Sequence, residues 1–127
     1  MGIEEKVLCS KSHEFILKND NGSYTIGLTD YAVDQLGDIV YLELPEVESE
    51  FKKGETFATV ESVKAASEIY MPISGKVLEV NNSAVDSPEI LNEDVWEKGW
   101  LIKIEPTGDS TEKDDLMTYN DYKAELE

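Results

Sequence analysis

The chain of 127 residues contains one cysteine, one histidine, four prolines and only 11 basic residues. Each scarcity removes a class of function. With Cys9 alone there is no intramolecular disulfide framework and no cysteine-rich metal site. A lone cysteine near a terminus reads as incidental, with a reactive thiol as the other reading. His13 is the only histidine, and "HEFIL" has no second histidine four residues on, so the zinc-protease pattern fails. The carboxylates left for a metal site lack calcium-loop spacing. There is no glycine-rich phosphate loop, and no serine sits in a nucleophile-elbow context. A carboxylate acid–base pair is the one enzymatic option left open. No apolar run approaches the roughly 18 residues of a membrane span, and residues 1–10 lack a signal-peptide core. These absences lead to an expectation of no catalytic residues and no metal. The chain reads as soluble and cytoplasmic, or as mitochondrial-matrix if it is a mature eukaryotic form.

What is abundant is negative charge: 28 Asp+Glu give a formal net charge of −17. Such a surface repels phosphate backbones and anionic membranes, which argues against nucleic-acid or membrane partners. It suits salt-sensitive docking against basic protein faces, or it serves solubility alone. The length fits one domain with a real core.

Short apolar runs alternate with turn residues. Strands are expected at 13–18 and 23–28 around the hairpin signal "NDNGS", then at 38–44, 56–61, 66–71, 76–80 and 100–105. "TDYAVDQLG" reads as a two-turn helix over about 30–36, capped by Thr29 or Asp30 and stopped by Gly37. A helical piece is expected near 88–92. Leu116, Tyr119, Tyr122 and Leu126 stand near helical spacing, so a surface helix is expected over 111–127. "GDIVYLEL" (37–44) and "GKVLEV" (75–80) echo each other, as two similar halves around a pseudo-two-fold would. Many short strands with flanking helices indicate a small β-barrel or sandwich.

Within this frame Lys64 stands out. It sits in "ESVKAAS", among small or compact neighbours, between two runs suited to anchor a stiff hairpin. Glu61, three residues earlier, puts an acidic mark beside it. Two readings stand: a solvated charge at a hairpin tip, or an amine presented to an acylating enzyme.

"VESVKAASEIYMPISGKVLEVN" (60–81) resembles the lipoylation segment of the glycine cleavage system H-protein family. "SHEF" (12–15), "TIGLTDYAVDQLGDIVYLELPEV" (25–47), "SPEILNED" (87–94) and "KGWLIKIEP" (98–106) follow in that family's order. The "GLTDYA" and "GWLIKI" blocks separate it from acyltransferase lipoyl domains. Biotin carriers normally place their lysine between methionines, whereas Val63 and Ala65 flank it here. The resemblance implies a mostly β barrel-sandwich hybrid with short flanking helices and a C-terminal helix. It implies one lipoyl-carrier domain over 1–127, with its core at about 13–106. It implies lipoate in amide linkage on Lys64, with Glu61 and Gly75 serving lipoylation and hairpin placement, Gly75 through the backbone freedom of glycine. It also implies a cleft for the loaded arm at Glu14, Leu28, Gln35 and Glu68, with Glu14 either gripping the amine or standing as an exposed strand carboxylate. Gln35 stands where some members have histidine, Phe15 where tryptophan is common, and Val95-Trp96 where Pro-Tyr is common. The implied protein is a non-catalytic monomer. It would carry the aminomethyl group of glycine from a pyridoxal-phosphate glycine decarboxylase to a tetrahydrofolate-dependent aminomethyltransferase. Dihydrolipoamide dehydrogenase then reoxidises the arm, and a lipoylating enzyme attaches it. The alternatives are a lipoate reservoir for other lipoyl domains and an unlipoylated interaction paralogue.

Overall fold

The computed structural model describes residues 5–126, the side chain of Ser110 excepted. Two antiparallel sheets face each other. The larger sheet has the order β10-β1-β2-β3-β9-β8-β5 and the smaller β4-β6-β7. In chain order the strands are β1 (Leu8–Cys9), β2 (Glu14–Lys18), β3 (Tyr24–Leu28), β4 (Ile39–Glu43) and β5 (Glu50–Phe51), then β6 (Thr56–Ser62), β7 (Ala66–Tyr70), β8 (Gly75–Val80), β9 (Ile102–Pro106) and β10 (Met117–Thr118). Helices α1 (Asp30–Leu36), α2 (Asn82–Asp86), α3 (Ile90–Glu93) and α4 (Tyr119–Leu126) flank them. This is the expected mostly β architecture.

Inward side chains of both sheets make the main core: Ile16, Ile26, Leu42, Val60, Ile69, Val77, Ile102 and Ile104 are all buried. A second cluster of Val7, Cys9, Phe15 and Tyr122 lies on the other side of β2. This is why Phe15 and Ile16, adjacent and pointing oppositely, are both buried. Gly27 is paired with Phe15 across the ladder. A Cβ on Gly27 would come within 2.6 Å of the Phe15 ring, so glycine makes room for that ring to lie across β3.

The hairpin β2–β3 and helix α1 lie where the sequence puts them. Thr29 caps α1 by accepting from the Ala32 N–H, and Gly37 ends it at φ 85°. The echoing segments 37–44 and 75–80 form β4 in one sheet and β8 in the other. Their registers both shift just past a buried residue, between Ile39 and Tyr41 and between Val77 and Glu79. The extra residue of each bulge, Val40 or Leu78, is turned to solvent, which explains two of the exposed large apolar side chains.

The structure differs from expectation at three points. The helical piece expected near 88–92 is present as α3, but a further short helix, α2, precedes it, and Pro88 after the Ser87 cap separates the two. The two-residue strands β1, β5 and β10 escaped notice, being too short to show alternation. The expected helix over 111–127 begins only at Tyr119. Before it come a 3-10 turn, Ser110–Lys113, and strand β10, which pairs with β1. Asp109 caps that turn, accepting from the Thr111 N–H, and its exposed carboxyl is held below the usual carboxylate range by bonds from Thr111. The last residue of the expected helix, Glu127, lies outside the described residues.

Candidate functional site

Lys64 occupies the turn between β6 and β7. Its backbone N–H and that of Ala65 both donate to Ser62 Oγ at 3.1 Å, and the Ser62 N–H donates to the Ala65 carbonyl at 2.8 Å. One buried serine thus holds the turn from within. Outside it, the Val63 N–H donates to the Asp38 carbonyl at 3.1 Å. Segment 37–39 is held in turn by Asn92 of α3, whose side chain donates to the Gly37 carbonyl (2.8 Å) and accepts from the Ile39 N–H (2.9 Å). The turn is stiff although its side chains are open, with Val63 70% exposed. The Lys64 stem rests on Gly37, where a Cβ would stand 3.3 Å from Lys64 Cε.

Gly37 follows Leu36, and Leu36 lines a cleft of about 280 Å³. Its walls are Ser12, His13 and Glu14 at the start of β2, Leu28 at the end of β3, Tyr31, Ala32, Gln35 and Leu36 from α1, and Val60, Ser67 and Glu68 from the hairpin. Glu14, Leu28, Gln35 and Glu68, separated by more than fifty residues in sequence, therefore border one cavity. Lys64, Glu61 and Gly75 do not line it. The cleft runs down β7 from the turn: Ser67 and Glu68 border it, and the Tyr70 N–H donates to Glu14 Oε2 at 3.3 Å.

Glu14 is not an exposed strand carboxylate. It is only 1% exposed. Its Oε1 accepts from both Ser10 Oγ and Ser12 Oγ at 2.6 Å. No ion pair to it is found among the described residues, where the one pair is Lys53 with Asp115. Burial therefore pushes the Glu14 carboxyl above its ordinary range, opposed but not overcome by the serine and backbone bonds. Oε1 is saturated by two hydroxyls, while Oε2 takes one long bond and keeps capacity for another donor.

Glu68 is exposed and accepts from Thr56 Oγ1 at 3.1 Å, and Gln35 is exposed on α1. Glu61 is exposed in a cross-strand row with Tyr41 and Ala66. For Gly75 the physical reason differs from the expected one. Its φ is not in the left-handed region. A Cβ there would collide with the Ile104 side chain and lie 3.1 Å from the Glu105 carbonyl, so close approach of β9, not backbone freedom, excludes a side chain.

Sequence reasoning passed over several residues. Ser62 was visible only as a small neighbour of Lys64. Ser10 and Ser12 precede Glu14 at spacings that a turn can fold back onto it, which was the available signal. His13, immediately before Glu14, adopts φ 75°, an uncommon conformation for a non-glycine residue, and both residues border the cleft. Cys9 is fully buried, and burial, with the nearby Asp30 charge, pushes its thiol up to about 12. The reactive-thiol reading fails on that account.

The site residues provide an exposed amine on a rigid turn, a cleft of mixed apolar and polar lining bordered by the same hairpin, and a buried acceptor with no cation paired to it among the described residues. Among the described residues no group of side chains is arranged to hold a metal ion, and no helix is long and apolar enough to cross a membrane.

Comparison with known proteins gives one consistent result. The family model described as Glycine cleavage H-protein matches residues 7–127. The chain is 48% identical over 124 residues to the glycine cleavage system H protein of Oceanobacillus iheyensis, covering 98% of this chain and 97% of that one. It is 47% identical over 123 residues to that of Staphylococcus haemolyticus, covering 97% and 96%. Among solved structures it is similar to a glycine cleavage system H protein from Mycobacterium marinum. That match has a TM-score of 0.85 and 33% identity, over 96% of this chain and 97% of that one.

Proposed function

Because the chain belongs to the glycine cleavage H-protein family, we propose that Lys64 bears lipoate and that the cleft holds the loaded arm. Membership makes the chain a carrier component of the glycine cleavage system. The observation that most supports the finer reading is Glu14, a buried carboxyl with no cation paired to it among the described residues, in a cleft bordered by the hairpin that carries Lys64.

Lipoate, when attached, supplies a dithiolane that accepts the aminomethyl unit of glycine with its own reduction. The chain's residues do the rest. Ser62 presents the Lys64 amine on a fixed turn. Glu61 marks the turn for a lipoylating enzyme, and Gly75 lets β8 and β9 close behind it. Leu28, with Ala32, Leu36 and Val60, offers apolar walls to the arm and keeps water from it. Glu14 Oε2 accepts from the cationic amine by a charge-assisted bond, and Glu68 and Gln35 border the same space. Tethering gives each partner site a high effective concentration of cargo.

In this reading the carrier is one domain over 1–127, monomeric and cytoplasmic, and performs no catalysis of its own. It docks in turn with the glycine decarboxylase, the aminomethyltransferase and dihydrolipoamide dehydrogenase, its negative charge meeting their basic faces. The test is glycine–bicarbonate exchange with a purified decarboxylase. Lipoylated chain must support the exchange and unlipoylated chain must not. A lipoylated chain that donates lipoate to other domains but supports no exchange would make it a reservoir instead.

A further inference from the structure

Tyr122 of α4 is 1% exposed, and its hydroxyl makes two bonds. It lies 2.7 Å from Thr29 Oγ1 and 2.8 Å from His13 Nδ1. The two partners belong to two adjoining walls of the cleft that holds Glu14. Thr29 is the cap of α1, which contributes Tyr31, Ala32, Gln35 and Leu36. His13 precedes Glu14 and borders the cleft itself. The walls meet at one more bond, from the Thr29 N–H to the His13 carbonyl at 3.1 Å.

Behind His13 the packing is open. A second cavity of about 190 Å³, lined by Lys11, His13, Met117, Tyr122, Glu125 and Leu126, backs onto the imidazole. His13 therefore borders two cavities. It is held in the cleft wall by the Tyr122 hydroxyl and by ring contacts with Tyr31 (centroids 5.0 Å apart) and Tyr122 (5.7 Å). Without the hydroxyl, it has room to retreat.

We propose that Tyr122 is a positioning residue for the cleft: one hydroxyl from the C-terminal helix fixes both the His13–Glu14 wall and the α1 wall. Burial of a polar group is tolerated when its bonds are made, and here both bonds are spent on cleft walls. The C-terminal helix thus sets the shape of a cavity that it mostly stands behind. The consequence for the arm rests on the carrier reading above; the consequence for the walls does not.

The test compares Tyr122→Phe with Tyr24→Phe in the full chain. Tyr24 is also buried and also loses one hydroxyl bond, from Lys113 Nζ at 2.8 Å, but it does not border this cleft. In unlipoylated protein, Tyr122→Phe quickens hydrogen exchange over residues 30–36 about fivefold, the worth of one buried hydrogen bond, and leaves 75–80 as in wild type. Tyr24→Phe leaves 30–36 unchanged. Equal changes in both segments, or none in 30–36, overturn the proposal. In lipoylated protein with the arm loaded with its amine, Tyr122→Phe quickens spontaneous loss of the amine about fivefold, and Tyr24→Phe does not. Equal loss rates in wild type and Tyr122→Phe overturn it. If Tyr122→Phe does not fold, His13→Asn replaces it, since asparagine accepts the φ of 75° and removes the ring. It must also quicken amine loss, and an unchanged rate overturns the proposal. A wild-type chain that takes no lipoyl group fails the carrier reading instead, and the exchange over 30–36 then decides the positioning role by itself.

Discussion

The Lys64 turn and the Glu14 end of the cleft both place a charged group at a chosen point, by opposite means. At the turn the backbone is fixed and the charge is free: Ser62 absorbs the local hydrogen bonds, and the lysine is exposed. At Glu14 the charge itself is fixed, buried and gripped by two hydroxyls and a backbone N–H. In the proposed reading Lys64 is an attachment point and Glu14 a holding point: an attachment point must be reachable by enzymes, so its group stays in water and only its position is specified. A holding point must compete with water, so its acceptor is desolvated in advance and left short of a partner. The two ends differ as a root and a latch differ.

The largest expected effect breaks the latch. Glu14→Gln keeps the shape and removes the charge, so loss of the amine from a loaded arm quickens about 10–100-fold, the worth of one charge-assisted hydrogen bond. The same substitution has a second consequence with a definite sign. Burial raises the Glu14 pKa in the folded protein. A neutral Glu14 therefore supports the fold below the ordinary carboxylate range, and that support is lost as pH rises through the raised pKa. Glu14→Gln escapes this loss. Its melting temperature relative to wild type rises as pH increases from about 4 toward 8.

Next in size is the root. Ser62→Ala removes the acceptor of two backbone N–H groups and destabilises the fold by about 1–2 kcal/mol in chemical denaturation. It also slows lipoylation, because the lysine is no longer held in one place. Gly37→Ala forces a side chain onto φ 85° and into the Lys64 stem, at about 1 kcal/mol with no effect on amine retention. Smallest is Val63→Ser, beside the lysine and exposed, expected within about 0.5 kcal/mol of wild type. If Val63→Ser destabilised as much as Ser62→Ala, the division between fixed backbone and free side chains would be wrong.

How legible these two regions were in sequence follows from the range of the forces that make them. The root is local: small residues, a lysine and two strand-forming runs lie within fifteen residues, and pattern alone isolated Lys64. Helix α1 was equally local, its Thr29 cap and Gly37 stop both written in the chain. The latch is assembled from distant segments, so only family resemblance brought Glu14, Leu28, Gln35 and Glu68 together. Even then the burial of Glu14 went unseen, because it depends on Ser10, Ser12 and the Tyr70 backbone meeting from three directions. The tail misled for a related reason. Leu116, Tyr119, Tyr122 and Leu126 carry helical spacing, yet Met117 and Thr118 pair with β1, and a long-range ladder overrode the local period. Gly75 came only from the family resemblance, and its reason is a close approach of β9 that no local pattern records.

The most direct test of the account is the intact mass of the chain expressed in a host that makes and attaches lipoate, beside Lys64→Arg. The account predicts one added lipoyl group on the wild-type chain, located at Lys64 by peptide mapping, and none on Lys64→Arg. A wild-type chain without the added mass, or a Lys64→Arg chain that still carries it, would contradict it.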